Sequence, residues 1–90
     1  MTDLTALLQN GWTKTSDGTA IEKHFKFKSF AQAWGFMSQA ALAAERINHH
    51  PEWINVYNRV NVRLTTHDTG GISELDVQLA NKMEALIASS

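Results

Sequence analysis

The spacing of apolar residues alternates along the chain between steps of three or four and steps of two, and each switch predicts a change of element. Leu4, Leu7 and Leu8 have helical spacing within 3–10, with Thr2 or Asp3 as the cap and Gly11 as the stop. Trp12 to Thr15 suits a strand, Ser16-Asp17-Gly18 a tight turn, and Thr19 to Lys28 the returning strand. In that second strand Ile21, Lys23, Phe25 and Phe27 share one face. Glu22, His24, Lys26 and Lys28 take the other, so His24 reads as part of a solvated face.

Ser29 followed by Gln32 predicts the N-cap of a long helix. Phe30, Ala33, Trp34, Met37, Ala40, Ala41, Ala44 and Ile47 recur at helical steps and are expected to face the core, Trp34 together with Trp12. From Phe30 to Asn48 the helix would be about 28 Å long, enough to cross a small sheet. Phe36 and Ala43 fall off this stripe and suggest a second covered side, against a neighbouring subunit or against the other helices. Gly35 costs about 1 kcal/mol relative to Ala inside a helix, which suggests close packing there. Pro51 is read as the helix stop, which puts His49 and His50 in the last turn. Glu45, four residues before His49, would then pair with it, either to orient an imidazole or as a plain surface ion pair.

Beyond Pro51 the even positions Ile54, Val56, Val60, Val62 and Leu64 are apolar and are read as one inward face. A break at Tyr57-Asn58-Arg59 makes this a second hairpin that ends at Thr65-Thr66-His67. After the loop Thr69-Gly70-Gly71, Ser73 and Asp76 have capping-box spacing before a helix with Leu75, Leu79, Ala80, Met83, Leu86 and Ile87 as its apolar positions. Ile72 and Val77 would form its hydrophobic staple.

The predicted fold class is α+β, with a four-stranded antiparallel sheet, helices packed on one face and the order α-β-β-α-β-β-α, in a single domain over 1–90. An exposed sheet edge is most simply removed by pairing with a second copy, so a homodimer or homotetramer is expected. Hydrophobic content of 43% with 19% charged residues suits a folded globular chain. A net charge of −1 supplies no broad basic field, so direct nucleic-acid binding is not expected. The absence of cysteine removes disulfides, thiolate metal sites and a cysteine nucleophile together. No basic leader and no long apolar run is present, so no membrane partner and a cytoplasmic location are expected.

Candidate chemistry concentrates in Glu45-Arg46-Ile47-Asn48-His49-His50-Pro51-Glu52-Trp53 and Thr65-Thr66-His67, which hold three of the four histidines. Imidazoles titrate near neutrality, so histidines placed by a helix end and a strand end can move protons. A metal site on His49, His50, His67 and Glu45 is disfavoured, because adjacent histidines rarely converge on one tetrahedral ion and no H-x3-H spacing occurs. Trp53 has an ordinary alternative as a core aromatic, and Asp76 as a capping residue.

The string Glu45-x3-His49-His50-Pro51-Glu52-Trp53-x3-Tyr57-Asn58-x-Val60-x-Val62-x-Leu64-x-Thr66-His67, followed by Gly71-x-Ser73-Glu74-x-Asp76, closely resembles the pterin-4a-carbinolamine dehydratase family. Phe27-x-x-Phe30 and Trp34-Gly35-Phe36-Met37 extend the resemblance over nearly the whole chain from Gly11. It implies dehydration of a 4a-hydroxytetrahydropterin to the quinonoid dihydropterin, without metal or organic cofactor, in recycling of the pterin used by aromatic amino acid hydroxylases. It also implies His49 and His67 as the principal catalytic positions, with His50 binding or polarising the substrate. Glu45 and Asp76 would orient imidazoles, while Pro51 and Trp53 would wall the flat pterin ring. Animal members of the family also serve as dimerisation cofactors of a homeodomain transcription factor through the main helix, which makes an interaction module the alternative function. Asn48 stands where relatives often carry an acid and Leu75 where a base can occur.

Overall fold

In the computed structural model, which describes residues 2–89, the elements are α1 (Thr5–Gln9), β1 (Thr13–Lys14), β2 (Ile21–Lys26), α2 (Phe30–Arg46), β3 (Glu52–Val56), β4 (Arg59–Leu64) and α3 (Glu74–Ala88). A single 3-10 turn, His67–Thr69, follows β4. The strands form an antiparallel sheet in the order β1-β2-β4-β3. The predicted class and element order are therefore observed. The sheet's inner face supplies Ile21, Phe25, Val60, Val62 and Leu64 to the core, against Ala33, Phe36, Ala40 and Ala44 of α2 and Leu79, Ala80 and Met83 of α3. Short side chains along the buried line of α2 let its backbone approach the sheet, and the aromatic residues fill the remaining gap. Phe36 sits 4.9 Å from Phe25 and 5.2 Å from Phe27, ring centre to ring centre.

That contact corrects the reading of α2. Phe36 belongs to the core at 5% exposure, whereas Trp34 is 57% exposed, and Phe30 and Leu42 also face outward. A broad run of apolar positions leaves the rotation of a helix open, and here the large ring at 36 takes the space above Phe25 and Phe27. Trp12 does lie in the core, edge-on to Phe25 at 5.9 Å. Nor is Gly35 a point of close packing, since a Cβ placed there would meet nothing within 4 Å.

The second hairpin carries another correction. Val56 lies opposite Arg59, Ile54 opposite Asn61 and Trp53 opposite Val62. Residues that face each other across a ladder share a sheet face, so the two-residue turn Tyr57-Asn58 pairs odd positions with even ones. Trp53 thus turns inward with Val62, while Ile54 and Val56 project from the outer face of edge strand β3 at 66% and 53% exposure. Tyr57 adopts φ +52°, uncommon for a bulky residue. Asn55 Nδ2 holds that conformation by donating to the carbonyls of Tyr57 and Arg59 at 3.1 and 2.8 Å. Asn58 anchors the turn to the end of β2 through Phe27, donating from Nδ2 to its carbonyl and accepting from its N–H.

Lys23 lies on the apolar side of β2, and its ammonium is neutralised at the core's rim. Its Nζ donates to Glu84 at 2.6 Å and to the Asn10 carbonyl at 2.7 Å, 5.0 Å from the Phe25 ring centre. Glu84 also accepts from Trp12 Nε1 and Asn10 Nδ2, so one carboxylate ties the end of α1 and β2 to α3.

In the first hairpin, Asp17 Oδ1 accepts from the Thr15 hydroxyl, the Thr19 N–H and the Thr19 hydroxyl. These bonds, led by the Thr15 hydroxyl, hold its pKa down from the ordinary 3.8 to about 2. The depressed folded value makes the contribution full above the unfolded pKa and lost as pH falls through the folded one. The Asp17 carboxyl is therefore expected to titrate near 2 by NMR. Asp17→Asn should be less stable than wild type in urea at neutral pH, with the gap closing as pH falls from about 4 to about 2. A gap independent of pH would contradict this.

Candidate active site

Helix α2 ends earlier than Pro51. Ile47 is its C-cap, and Asn48, at φ +52°, turns the chain back into the left-handed region that Asn tolerates. The His49 N–H then bonds the Ala44 carbonyl at 3.0 Å and the Asn48 N–H bonds that of Glu45 at 3.2 Å, the paired bonds of a Schellman ending. His49 and His50 consequently lie beyond the helix. His49 turns inward to 9% exposure, and His50 remains outside.

The inward imidazole meets a carboxylate 27 positions away in sequence. At the start of α3, Ser73 and Asp76 form the expected capping box, in which the Leu75 N–H donates to Ser73 Oγ and Asp76 Oδ2 accepts the Ser73 N–H at 2.9 Å. Asp76 also accepts from the Thr66 hydroxyl on Oδ2 at 2.8 Å, and its Oδ1 lies 2.5 Å from His49 Nε2. Asp76 has 0% exposure. Against an ionised carboxylate, which only accepts, this bond requires the proton on His49 Nε2. Asp76, for which the sequence offered a cap and a partner for an imidazole as alternatives, caps α3 and bonds the His49 ring at once.

His50 and His67 have separate carboxylates. Glu45 pairs with His50, Oε1 to Nε2 at 2.8 Å, and not with His49, because the helix ends before the four-residue spacing can operate. Both groups are well exposed. His67, in the 3-10 turn after β4, is 88% exposed and lies 3.8 Å from Glu52 Oε2. Glu52 also accepts two bonds from Arg63 Nη1, at 3.1 and 3.2 Å. The sequence reading left Glu52 and Thr66 without roles, yet the former links Arg63 to His67 and the latter holds Asp76. Their positions gave a partial signal, since Glu52 begins β3 directly across from Arg63 and Thr66 directly precedes His67.

Pro51 and Trp53 are half-buried, and Trp53 packs against the core. Trp53 borders two clefts of about 430 Å³, one on the outer sheet face with His24 and Arg63, the other beside α2 with Trp34 and Leu42. Neither cleft is lined by His49, His50 or His67. Among the described residues, no group of three or more His, Asp or Glu is arranged to hold a metal ion. No described helix is long and apolar enough to cross a membrane.

Comparison with known proteins gives the family. The sequence profile of the family described as pterin 4 alpha carbinolamine dehydratase matches residues 1–86. A protein of Rhizobium johnstonii named "Putative pterin-4-alpha-carbinolamine dehydratase" is 58% identical over 79 residues, covering 88% of this chain and 78% of that protein. One of the same name from Sinorhizobium medicae is 60% identical over 74 residues, covering 82% and 70%. The crystal structure of a transcriptional coactivator/pterin dehydratase from Brucella melitensis superimposes with a TM-score of 0.87 at 49% identity, covering 96% of each chain. A pterin dehydratase-like protein identified as a RuBisCO assembly factor in the alpha-carboxysome gives a TM-score of 0.75 at 26% identity, covering 89% of this chain and 93% of that one. This chain belongs to the pterin carbinolamine dehydratase family.

The two carboxylate–imidazole pairs that bond directly should respond unequally to substitution. Asp76→Asn removes a fully buried acceptor and is expected to lose about 1–3 kcal/mol of stability in urea denaturation. Glu45→Gln, at an exposed pair, should lose less than about 1 kcal/mol. Equal losses would contradict the assignment of Asp76 as the buried anchor.

Proposed function

We propose that this protein dehydrates a 4a-hydroxytetrahydropterin to the quinonoid dihydropterin by histidine acid–base catalysis. The observation that carries the reading is the buried His49–Asp76 pair, set in a chain that belongs to the dehydratase family. In the substrate the hydroxyl-bearing carbon also bears a ring nitrogen. The nitrogen lone pair forms a C=N bond as the C–O bond breaks, the oxygen leaves as water with a proton from an acid, and a base takes a ring N–H proton. Each positioned proton transfer contributes typically about 10²–10⁴-fold.

His49 and His67 serve as the acid and base, and His50 binds or polarises the substrate. Asp76 orients His49, Glu45 orients His50, and Pro51 with Trp53 walls the pterin ring. Family membership and the observed pairing of His49 with Asp76 and His50 with Glu45 support these roles. No metal or organic cofactor takes part. The protein works in the cytoplasm as a homodimer or homotetramer, in recycling of the pterin used by aromatic amino acid hydroxylases. The unpaired edge of β3 and the outward Ile54 and Val56 favour self-association.

One observation favours a second reading, an interaction module. Phe30, Trp34 and Leu42 form an exposed apolar side of α2, and one solved relative is described as a transcriptional coactivator as well as a dehydratase. The residue to test there is Trp34, since Phe36 is in the core.

The deciding measurement is the ultraviolet decay of enzymatically generated 4a-hydroxytetrahydropterin with chelator-treated protein. Wild type should accelerate the decay, and His49→Ala and His67→Ala, both folded, should each lose about tenfold or more. No acceleration by folded wild type overturns the dehydratase reading. In that event, loss of a partner-dependent function in Trp34→Asp, with His49→Ala and His67→Ala unaffected, would support the interaction module.

A further inference from the structure

Thr66 is joined to the supports of both proposed catalytic imidazoles. Its buried hydroxyl lies 2.8 Å from Asp76 Oδ2 and 2.6 Å from Ser73 Oγ. Through Asp76 it bears on the orientation of His49. Its backbone meanwhile closes the loop that carries His67. The Thr66 N–H bonds the Gly71 carbonyl at 2.9 Å, and the Thr66 carbonyl accepts from the N–H groups of Gly71 and Thr69 and from the Thr69 hydroxyl.

The geometry points to Thr66 as a positioning residue that holds His49 and His67 in fixed relation, through its hydroxyl on one side and its closed loop on the other. Asp76 Oδ2 needs two donors to keep the carboxylate plane aimed at His49, and the Ser73 N–H alone fixes only one lone pair. The β-branched side chain of Thr restricts χ1, so the hydroxyl stays on Asp76 at low entropic cost. Loosening the hydroxyl frees the carboxylate plane, and with it both the Nε2 bond of His49 and the start of the loop before His67. Outer partners of metal-bound histidines alter activity by about 10–100-fold without touching substrate, and an effect of that order is expected here.

The test uses Thr66→Val, which keeps the shape and removes the hydroxyl, and Thr66→Ser, which keeps the hydroxyl. The primary readout is solvent exchange of the His49 Hε2 proton by NMR, with amide exchange at Thr69 and Gly71. In Thr66→Val the Hε2 exchange should quicken about tenfold or more, the two amides should exchange faster, and Thr66→Ser should stay near wild type. The kinetic arm rests on the dehydratase reading and expects kcat to fall about 10–100-fold with KM unchanged. Unchanged Hε2 exchange in folded Thr66→Val overturns the proposal, and unchanged amide exchange overturns the link to His67. If wild type shows no dehydration, that reading fails by itself and the exchange measurements still decide the role of Thr66. If Thr66→Val does not fold, Thr66→Ala is measured in its place with the same outcomes. An Hε2 proton on wild-type His49 that exchanges as fast as one on exposed His50 also overturns the proposal.

Discussion

A carboxylate removed from water must be surrounded by donors, and Asp76 is the place where this chain meets that requirement. Its donors come from widely separated segments. His49 follows α2, Thr66 follows β4, and Ser73 caps α3. None of these segments can shift alone without leaving part of a buried charge unpaired, so the cost of misplacing any of them is concentrated at one point. The position also suits a negative charge, since Asp76 is in the first turn of α3, where unbonded N–H groups and the helix dipole favour anions. The same carboxylate that stabilises the helix start also bonds the His49 imidazole, so the cap and the buried pair draw on one set of bonds.

Much of the fold was legible because its local signals agree with its tertiary contacts. Ser73 and Asp76 have capping-box spacing and form the box, and Ile21, Phe25 and Phe27 alternate and turn inward. The failures occurred where a local period was carried past an interruption or left a choice open. Apolar residues at even positions continue across Tyr57-Asn58, but a two-residue turn exchanges the parity of the strands it joins. The apolar positions of α2 fix that it is a helix but leave its rotation to packing, where Phe36 displaced Trp34. Asn48 was a visible stop signal, overshadowed by the more familiar Pro51.

The site was legible as a set of residues rather than as a set of contacts. Histidines and carboxylates stand out in a sequence, and their family resemblance names them. Which acid serves which histidine depends on where α2 ends, and a difference of a few residues transfers Glu45 from His49 to His50. The His49–Asp76 pair spans 27 positions, from the end of α2 to the first turn of α3, so no local spacing encodes it. Thr66 and Glu52 were harder still. A hydroxyl at a strand end and an acid at a strand start have no distinctive pattern until the register brings them beside Asp76 and His67.

The parity exchange at Tyr57-Asn58 makes the number of residues in that turn part of the specification of the surface. One residue added there, if the turn itself kept two residues, would slide β3 by one position against β4, move Ile54 and Val56 to the inner side and bring Trp53 out among Arg59, Asn61 and Arg63. A length change that is usually harmless in a surface loop would here exchange the two faces of an edge strand.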